Sequence, residues 1–393
     1  MKRKVTAVGL FAGIGGLETG FKRAGIESAL LCEIEPAANC VLRKHFPDIE
    51  IASDVRGLKA LPSVDIIAAG FPCQDLSQAG QTAGIRGRQS RLVDEVFRLI
   101  APPNPSPRWL VLENVSFMLQ LDRGRAMRHV VRRLEDLGFR WAYRVVDSRA
   151  FGLPQRRQRV VLVASQNDDP RRVLFADNGV EPGPLDHAGL ACGFYWTEGT
   201  RGLGWAVDAV PTLKGGSTIG IPSPPAIWRP DGRIVTPHLC DAERLQGFSA
   251  DWTMPAAEAG FRAGARWKLI GNAVSVPMAE WLGTRLVRPG KILDLAVREI
   301  GPKDRWPRAA WGSDEGKVCA VEASMWPIVK SRPHLIEFLA FEPAPLSAKA
   351  AEGFLTRANK SSLRFVTGFL DAVAAHVRHM KMHRNSESAR AVA

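Results

Sequence analysis

Apolar positions along the first 165 residues fall into short uninterrupted runs separated by helix-like stretches. Residues 4–10, 28–34, 64–69, 109–113 and 160–164 are runs of this kind, as expected for strands buried on both faces. Between them, residues 37–45 and a run ending near Arg23 read as helices, and residues 125–137 as an amphipathic one. Strand and helix in alternation predict a parallel, doubly wound sheet, and such sheets bind ligands beyond the carboxyl ends of their strands.

The texture changes at about residue 167. Asp-Asp-Pro, Glu-Pro-Gly-Pro, Lys-Gly-Gly-Ser and Pro-Ser-Pro-Pro punctuate the chain to residue 233 and periodicity fades, so a loop-rich second unit or large insertion is expected there. Helical patterning returns around 240–245 and 276–286. After Pro289-Gly290 comes a third region with two Trp-Pro pairs and two helices expected near 347–358 and 368–382, ending in a tail expected to be disordered beyond Arg384.

Composition narrows the class. With 46% hydrophobic and 24% charged residues, the 393-residue chain has the make-up of a soluble globular protein. No apolar run reaches the roughly 20 residues that span a bilayer, so no membrane partner is expected. The basic start, Met1-Lys2-Arg3-Lys4, leads into a short apolar stretch broken by glycines, which does not suit a signal peptide. Six cysteines without a Cys-x-x-Cys pair argue against a disulfide scaffold or a structural zinc site and fit a reducing cytoplasm. A formal charge of +13 asks for a polyanion, nucleic acid first.

The strand exits carry the chemistry. After the first strand stands Phe11-Ala12-Gly13-Ile14-Gly15-Gly16-Leu17-Glu18, a turn at which a ligand can approach the backbone and a helix start. Glu18 occupies the place of the dinucleotide fingerprint's third glycine, and would repel a pyrophosphate. Glu33 ends the second strand, where a carboxylate binds ribose hydroxyls, and Asp54 follows the next extended piece. This suits an adenosine ligand without a pyrophosphate, such as S-adenosylmethionine; a plain glycine turn with a solvated acid accounts for it equally well. Gly70-Phe71-Pro72-Cys73-Gln74 follows the next buried run, placing a cysteine where a nucleophile would be displayed, although a lone cysteine is more often a small core residue. Glu113-Asn114-Val115 brings a carboxyl to the same rim, where burial would hold its proton near neutrality. Arg157 and Arg159 alternate with Gln158 and share a strand face, so two guanidiniums stand ready to bind phosphate and orient a base.

Taken in order, these residues resemble the cytosine-5 DNA methyltransferase family of bacterial and phage type. Phe11-Ala12-Gly13-Ile14-Gly15-Gly16 is similar to its cofactor loop, Gly70-Phe71-Pro72-Cys73-Gln74 to its nucleophile loop and Glu113-Asn114-Val115 to its Glu-Asn-Val. Gln155, Arg157 and Arg159 match its Gln-x-Arg-x-Arg, and Arg244-Leu245-Gln246-Gly247-Phe248 and Gly271-Asn272-Ala273-Val274 its last two motifs. The likeness covers residues 1 to about 285 apart from the middle segment. Thr236-Pro237 stands farther from Arg244 than the family's common spacing, and Glu35 stands where the family often has Asp.

The resemblance implies a doubly wound mixed α/β sheet of the Rossmann-like S-adenosylmethionine-dependent type. It implies a catalytic and cofactor-binding domain over 1–164 and a small irregular target-recognition domain over about 165–260. A returning segment would span 261–290, an accessory, partly helical region 291–384 and a tail 385–393. It also implies transfer of a methyl group from S-adenosyl-L-methionine, leaving S-adenosyl-L-homocysteine, to C5 of a cytosine flipped out of double-stranded DNA. Cys73 would add to C6 while Glu113 holds N3, Pro72 fixes the loop, Arg159 binds the base or its phosphate and Arg157 supports the loop. Phe11 would cover the adenine, Glu33 the ribose hydroxyls and Asp54 the adenine edge. Gly13, Gly15, Gly16, Leu17, Ile34, Val55 and Asn272 would complete the cofactor site, with no metal. A monomer in the cytoplasm, on the nucleoid of a bacterial host and with a companion restriction endonuclease, follows the same pattern. An RNA-methylating relative is disfavoured by the missing Cys-Phe-Thr signature, and a catalytically dead DNA-binding protein by the intact Cys73, Glu113 and Arg159. The arginines around 123–140 are expected to form a solvated face. His376, His379 and His383 lack acidic or cysteine partners and are not expected to hold a metal. Residues 291–393 carry a net charge of +5, so the sequence predicts a sequence-independent phosphate contact whose removal spares recognition.

Overall fold

The structure, a computed structural model, describes residues 3–72, 92–215, 224–301, 303–312 and 316–392, with side chains to residue 382. Its first half runs β1 (Val5–Leu10), α1 (Gly16–Arg23), β2 (Ile26–Cys32), α2 (Pro36–His45), β3 (Ile51–Ala52), β4 (Ile66–Ala69), α3 (Leu92–Ile100), β5 (Trp109–Val115), α4 (Arg125–Asp136), β6 (Arg140–Asp147), β7 (Gln155–Arg156), β8 (Gln158–Ser165) and α5 (Arg171–Leu174). Strands β1 to β5 are parallel, in the order β3-β2-β1-β4-β5. The sheet does not stay parallel: β8 runs antiparallel between β5 and β6. Strand β6 is absent from the hydrophobic pattern because Arg140, Arg144 and Asp147 interrupt it. Arg144 is nevertheless fully buried, its guanidinium satisfied by the carbonyls of Leu174, Asp177 and Ser324 and by Asn178 Oδ1.

Register sets the site. Val115 pairs with Arg159 and Glu113 with Val161, which makes Glu113 and Arg159 diagonal neighbours on one face. Helix α9 (Val276–Val287) closes the layer beside α1 at a separation only glycine permits, since a Cβ on Gly20 would lie 2.4 Å from that of Ala279.

The middle of the chain is more regular than its punctuation suggests. β9 (Cys192–Phe194), β10 (Trp205–Val207), β11 (Val210–Pro211), β12 (Ala226–Trp228) and β13 (Ile234–Thr236) are too short to leave a period. Most of them form an antiparallel sheet, β10-β9-β12-β13, while β11 pairs with β7 as a separate two-stranded ribbon. Helices α6 (Leu239–Leu245), α7 (Met254–Glu258) and α8 (Ala263–Asn272) lead back to α9.

Beyond residue 290 lie β14 (Val297–Ile300), β15 (Ala309–Gly312), β16 (Val318–Val321), α10 (Leu335–Phe338), β17 (Ala344–Pro345), α11 (Ala348–Asn359) and α12 (Phe369–Val392). Strand β15 pairs with β6, extending the first sheet to ten strands, and β17 pairs with β13, adding a fifth strand to the second sheet. Among the described residues this region has no core of its own. Its Phe354, Phe369 and Val373 are buried with Phe194, Ala226 and Ile234 of the second sheet. Buried Asp208, in a left-handed conformation (φ 52°), accepts hydrogen bonds from Arg332 Nη1 and Leu335 N and contacts His334 Nδ1. Fully buried Asp241 takes the amides of Ala340 and Phe341. The last helix continues to Val392, past the residue 382 at which its sequence pattern fades.

Candidate active site

A cavity of about 1040 Å³ opens at the carboxyl ends of β1, β2, β4 and β5. The loop after β1 enters it through left-handed backbone at Phe11 (φ 56°), Gly13 (φ 58°) and Gly15 (φ 84°). The glycines have separate tasks. Gly13 has open space where a Cβ would stand, and it lines the cavity. Gly15 and Gly16 pack inward, where a Cβ would meet Phe46 at 2.5 Å and the Val274 carbonyl at 2.3 Å. Leu17 is a core residue. Here, then, it is the chain's own backbone that approaches Gly16 closely, at the segment before α9.

Glu33 is anchored by its neighbours. Gly13 N and Glu35 N each donate to a different carboxylate oxygen at 2.7 Å, and Asn39 Nδ2 binds its carbonyl at 2.9 Å. Burial raises its pKa while those amides work against the rise. Ile34 beside it is 61% exposed, a bare apolar surface at the mouth. Asp54 and Val55 line the same wall, and Arg56 fixes the Asp54 carboxylate (Nη2 to Oδ2, 2.7 Å) and holds it below its usual range. Asn272 faces them from the end of α8. Glu18 lies behind the loop, 3% exposed, in room left by Gly9. Its Oε2 has no hydrogen-bond partner among the described residues, and burial pushes its pKa up to about 7.

The reacting end holds Pro72, Glu113 and Arg159; Cys73 lies outside the described residues. Arg159 Nε is 3.0 Å from Glu113 Oε1, both side chains about nine-tenths buried. Burial raises the Glu113 pKa, and the charges of Arg159 and Arg157 pull it back. Asn114 Nδ2 reaches the Phe71 carbonyl at 3.3 Å and so steadies the strand exit before Pro72.

Arg157 does not reach the cavity. It is fully buried and donates to the carbonyls of Leu213 (3.3 Å), Gly271 (3.2 Å) and Ala273 (2.6 Å). Gln155 spans the same seam, with Nε2 on the Leu245 carbonyl (2.8 Å) and Oε1 under Leu213 N (3.0 Å). Gln246, quoted from the sequence as part of a motif but given no role, and Ser275, which no motif named, complete this buried network at 2.9 Å.

The second sheet supplies the opposite wall. Tyr195 donates its hydroxyl to the Thr212 carbonyl, and Lys214 Nζ sits 3.5 Å above the Tyr195 ring and 2.7 Å from Glu198 Oε1. Lys268 of α8 pairs with Glu35 at 2.7 Å, beside Glu33 at the mouth. Tyr195 and Lys268 lie in stretches without a motif, so their only signal is spatial. Gly216 and Ser217, from the glycine-rich stretch after Lys214, lie outside the described residues.

Elsewhere, the apolar face of α4 joins the core and leaves Arg125 and Arg132 exposed. His376 is committed to the Leu346 carbonyl at 2.7 Å, His379 is exposed, and the His383 side chain lies outside the described residues. Cys240, Glu243 and Asp251 bring possible metal-ligating atoms within 4.8 Å of one another. Arg266 Nη2 already stands 3.2 Å from Glu243 and 3.6 Å from Asp251, in the place a cation would take. No helix among the described residues is long and apolar enough to cross a membrane.

The sequence profile of the C-5 cytosine-specific DNA methylases matches residues 5–183. The Type II methyltransferase M2.BsuMI of Bacillus subtilis (strain 168) is 48% identical over 363 residues, covering 89% of this chain and 92% of that protein. The Type II methyltransferase M.BanI of Aneurinibacillus aneurinilyticus is 33% identical over 182 residues, 45% of this chain and 42% of that one. Among solved structures, the Entamoeba histolytica methyltransferase EhMeth matches at a TM-score of 0.52 and 16% identity, covering 72% of this chain and 98% of that one. The S. pombe Dnmt2 methyltransferase matches at 0.52 and 14% identity, covering 73% and 99%. These two show the fold, and they leave more than a quarter of this chain outside it. The motif-bearing sheet, and a relative 48% identical across most of the length, establish that the chain belongs to the C-5 cytosine-specific DNA methylases, enzymes that methylate cytosine at C5 in specific DNA sequences.

Proposed function

We propose that the chain methylates a cytosine extruded from duplex DNA by means of a Cys73 nucleophile, with S-adenosylmethionine bound between the loop after β1 and the ends of β2 and β3. The observation that carries this reading is a single cavity lined by both the Glu33 wall and the Glu113–Arg159 pair. S-adenosylmethionine supplies an electrophilic methyl group on a sulfonium. The residues fit such a ligand. Gly13 leaves room for it, and the immobilised Glu33 carboxylate suits two ribose hydroxyls. Phe11 and Ile34 offer apolar surface to the adenine, with Asp54 and Val55 at its edge and Asn272 across from it. A wall bearing Glu33, Glu35 and Asp54 also favours a cationic ligand.

On the substrate side, the Cys73 sulfur forms a bond to C6, and the displaced electron pair makes C5 nucleophilic. Glu113, whose pKa burial raises, donates to N3 in its protonated form and stabilises that charge. C5 takes the methyl group; loss of its proton and departure of the Cys73 thiolate then restore the ring. Arg159 orients Glu113 and meets the base or its phosphate, Pro72 sets the loop, and Arg157 acts from behind by binding the recognition segment and the end of α8 to β8.

Residues 1–164 and 261–290 carry catalysis and cofactor binding in this reading, 165–260 carry target recognition, and 291–384 serve both. Action as a monomer is part of the same reading. Free cysteines support the cytoplasm, with the nucleoid as the site of action. The Type II names of the relatives support a companion restriction endonuclease.

The test is trapping. Duplex DNA carrying 5-fluorocytosine in the recognition sequence should form a covalent complex with the chain in the presence of cofactor, because fluorine cannot leave as a proton does. Cys73→Ala should form none and transfer no methyl group while still binding DNA. Methyl transfer by that variant would overturn the mechanism.

A further inference from the structure

We propose that hairpin loop 196–204, between β9 and β10, is a rigid base-reading finger and that Arg201 at its tip reads a guanine of the recognition sequence. The inference rests on the function proposed above and adds the residue that selects the DNA.

The loop starts at the catalytic cavity. Tyr195, immediately before it, lines the cavity that holds Glu113 and Arg159. Glu198, inside it, pairs with Lys214 of the same wall through Oε1 and caps Gly204 N at 2.8 Å through Oε2. A duplex that delivers a base to this cavity therefore brings the neighbouring base pairs to the loop.

The loop is also held still. Gly199 N binds the Gly202 carbonyl at 3.1 Å, closing the tip, and Trp196 Nε1 binds the Pro224 carbonyl at 2.9 Å. From the C-terminal region, Arg357 of α11 donates to the carbonyls of Trp196 (2.7 Å) and Glu198 (3.1 Å). Gly199 is seated against Phe354, and a Cβ there would stand 3.0 Å from its ring. So many constraints on an exposed turn fit readout, which requires a fixed geometry, better than phosphate attraction, which does not.

Charge then singles out the reader. The loop's charged residues are Glu198 and Arg201. Glu198 is spent on Lys214 and Gly204, whereas Arg201 is exposed and has no ion-pair partner among the described residues. Glycines at 199, 202 and 204 remove side-chain bulk around it, so the tip fits a groove. A planar guanidinium presented this way matches the O6 and N7 of guanine in the major groove, the commonest specific contact of arginine with a base.

The experiment first maps the recognition sequence of the full-length chain by bisulfite sequencing of a randomised duplex library, then repeats the map with Arg201→Ala and Arg201→Lys. Both variants should lose about ten- to a hundred-fold discrimination at one G·C pair and keep the rest of the sequence. Lysine should not restore it, because the fork and not the charge is read. Unaltered melting and S-adenosylhomocysteine binding would confirm that the fold is intact. A uniform loss across all sequences, with a shallower salt dependence and rescue by lysine, would mean a phosphate contact and overturn the proposal. An unchanged sequence map would overturn it too. A wild-type chain that methylates no DNA would instead refute the function on which the proposal rests.

Discussion

Phe354→Ala tests whether the C-terminal region builds the second sheet's core from within. Phe354 is fully buried, its ring 5.2 Å from that of Phe194, 5.8 Å from Phe369 and 6.4 Å from Phe365. Truncation removes the ring that joins α11 and α12 to a sheet whose strands are two or three residues long. Such strands have little stability of their own. Phe-to-Ala changes in a core cost about 3–5 kcal/mol, and little relaxation is available here because the three surrounding rings are held from the second sheet and from the start of α12. That is a large share of the roughly 5–15 kcal/mol that holds a folded domain together. The sheet carrying Glu33 and Gly13 has a separate core, so the loss should be local. The measurements are thermal melting, limited proteolysis, and binding of S-adenosylhomocysteine and of DNA to the same preparation. A lowered first transition, cleavage within 196–204 or 360–368, lost DNA methylation and retained S-adenosylhomocysteine binding are expected. A destabilisation below about 1 kcal/mol would refute the account of the core, being too small for a filled aromatic site. Parallel loss of cofactor and DNA binding would refute the separation of the two cores.

Glu18→Gln should change how stability depends on pH. The folded pKa of Glu18 is raised from 4.5 to about 7, so between those values the native state keeps a proton that the unfolded chain has released. Stability must then fall as pH rises through that window, by about 3 kcal/mol in all, and glutamine should remove that slope in melts taken from pH 5 to pH 8; an unaltered slope would sink the assignment. Arg157→Lys should lower stability by about 2–4 kcal/mol, since one ammonium cannot serve the carbonyls of Leu213, Gly271 and Ala273 together. It should also raise the KM for DNA as the recognition segment loosens, and normal KM values with kcat alone reduced would show that Arg157 touches the reacting base instead.

Legibility followed the range of the interactions. Gly13, Glu33, Asp54 and Glu113 were readable because each sits at a strand exit, and the apolar run before it is a local signal. Arg157 and Arg159 looked alike in the sequence because spacing fixes only the strand face. Their difference comes from the carbonyls of Leu213, Gly271 and Ala273, at least 56 positions away, which engage one guanidinium while Glu113 engages the other. Strand β6 was hidden by Arg144, whose polar partners arrive from two distant segments, 174–178 and Ser324. The pairings β15–β6 and β17–β13 had no local signature, because a strand of two to four residues shows neither a period nor its partner.

The positive charge of the C-terminal region illustrates the same limit. A net +5 beyond residue 290 reads as spare affinity for phosphate, removable without consequence for recognition. In the fold, two of those cations are structural: Arg332 is bound by buried Asp208, and Arg357 by the carbonyls of the 196–204 loop. Deleting the region would leave Asp208 without its donors, leave Asp241 with Arg244 alone, and uncover Phe194 and Ile234. The orphaned Asp208 costs more than its ion pair with Arg332 contributed, and each uncovered apolar side chain costs about 1.5–3 kcal/mol. The deletion should therefore abolish sequence-specific methylation altogether, and a truncated chain that methylates the same sequence with only a flatter salt dependence would show that the region is accessory after all.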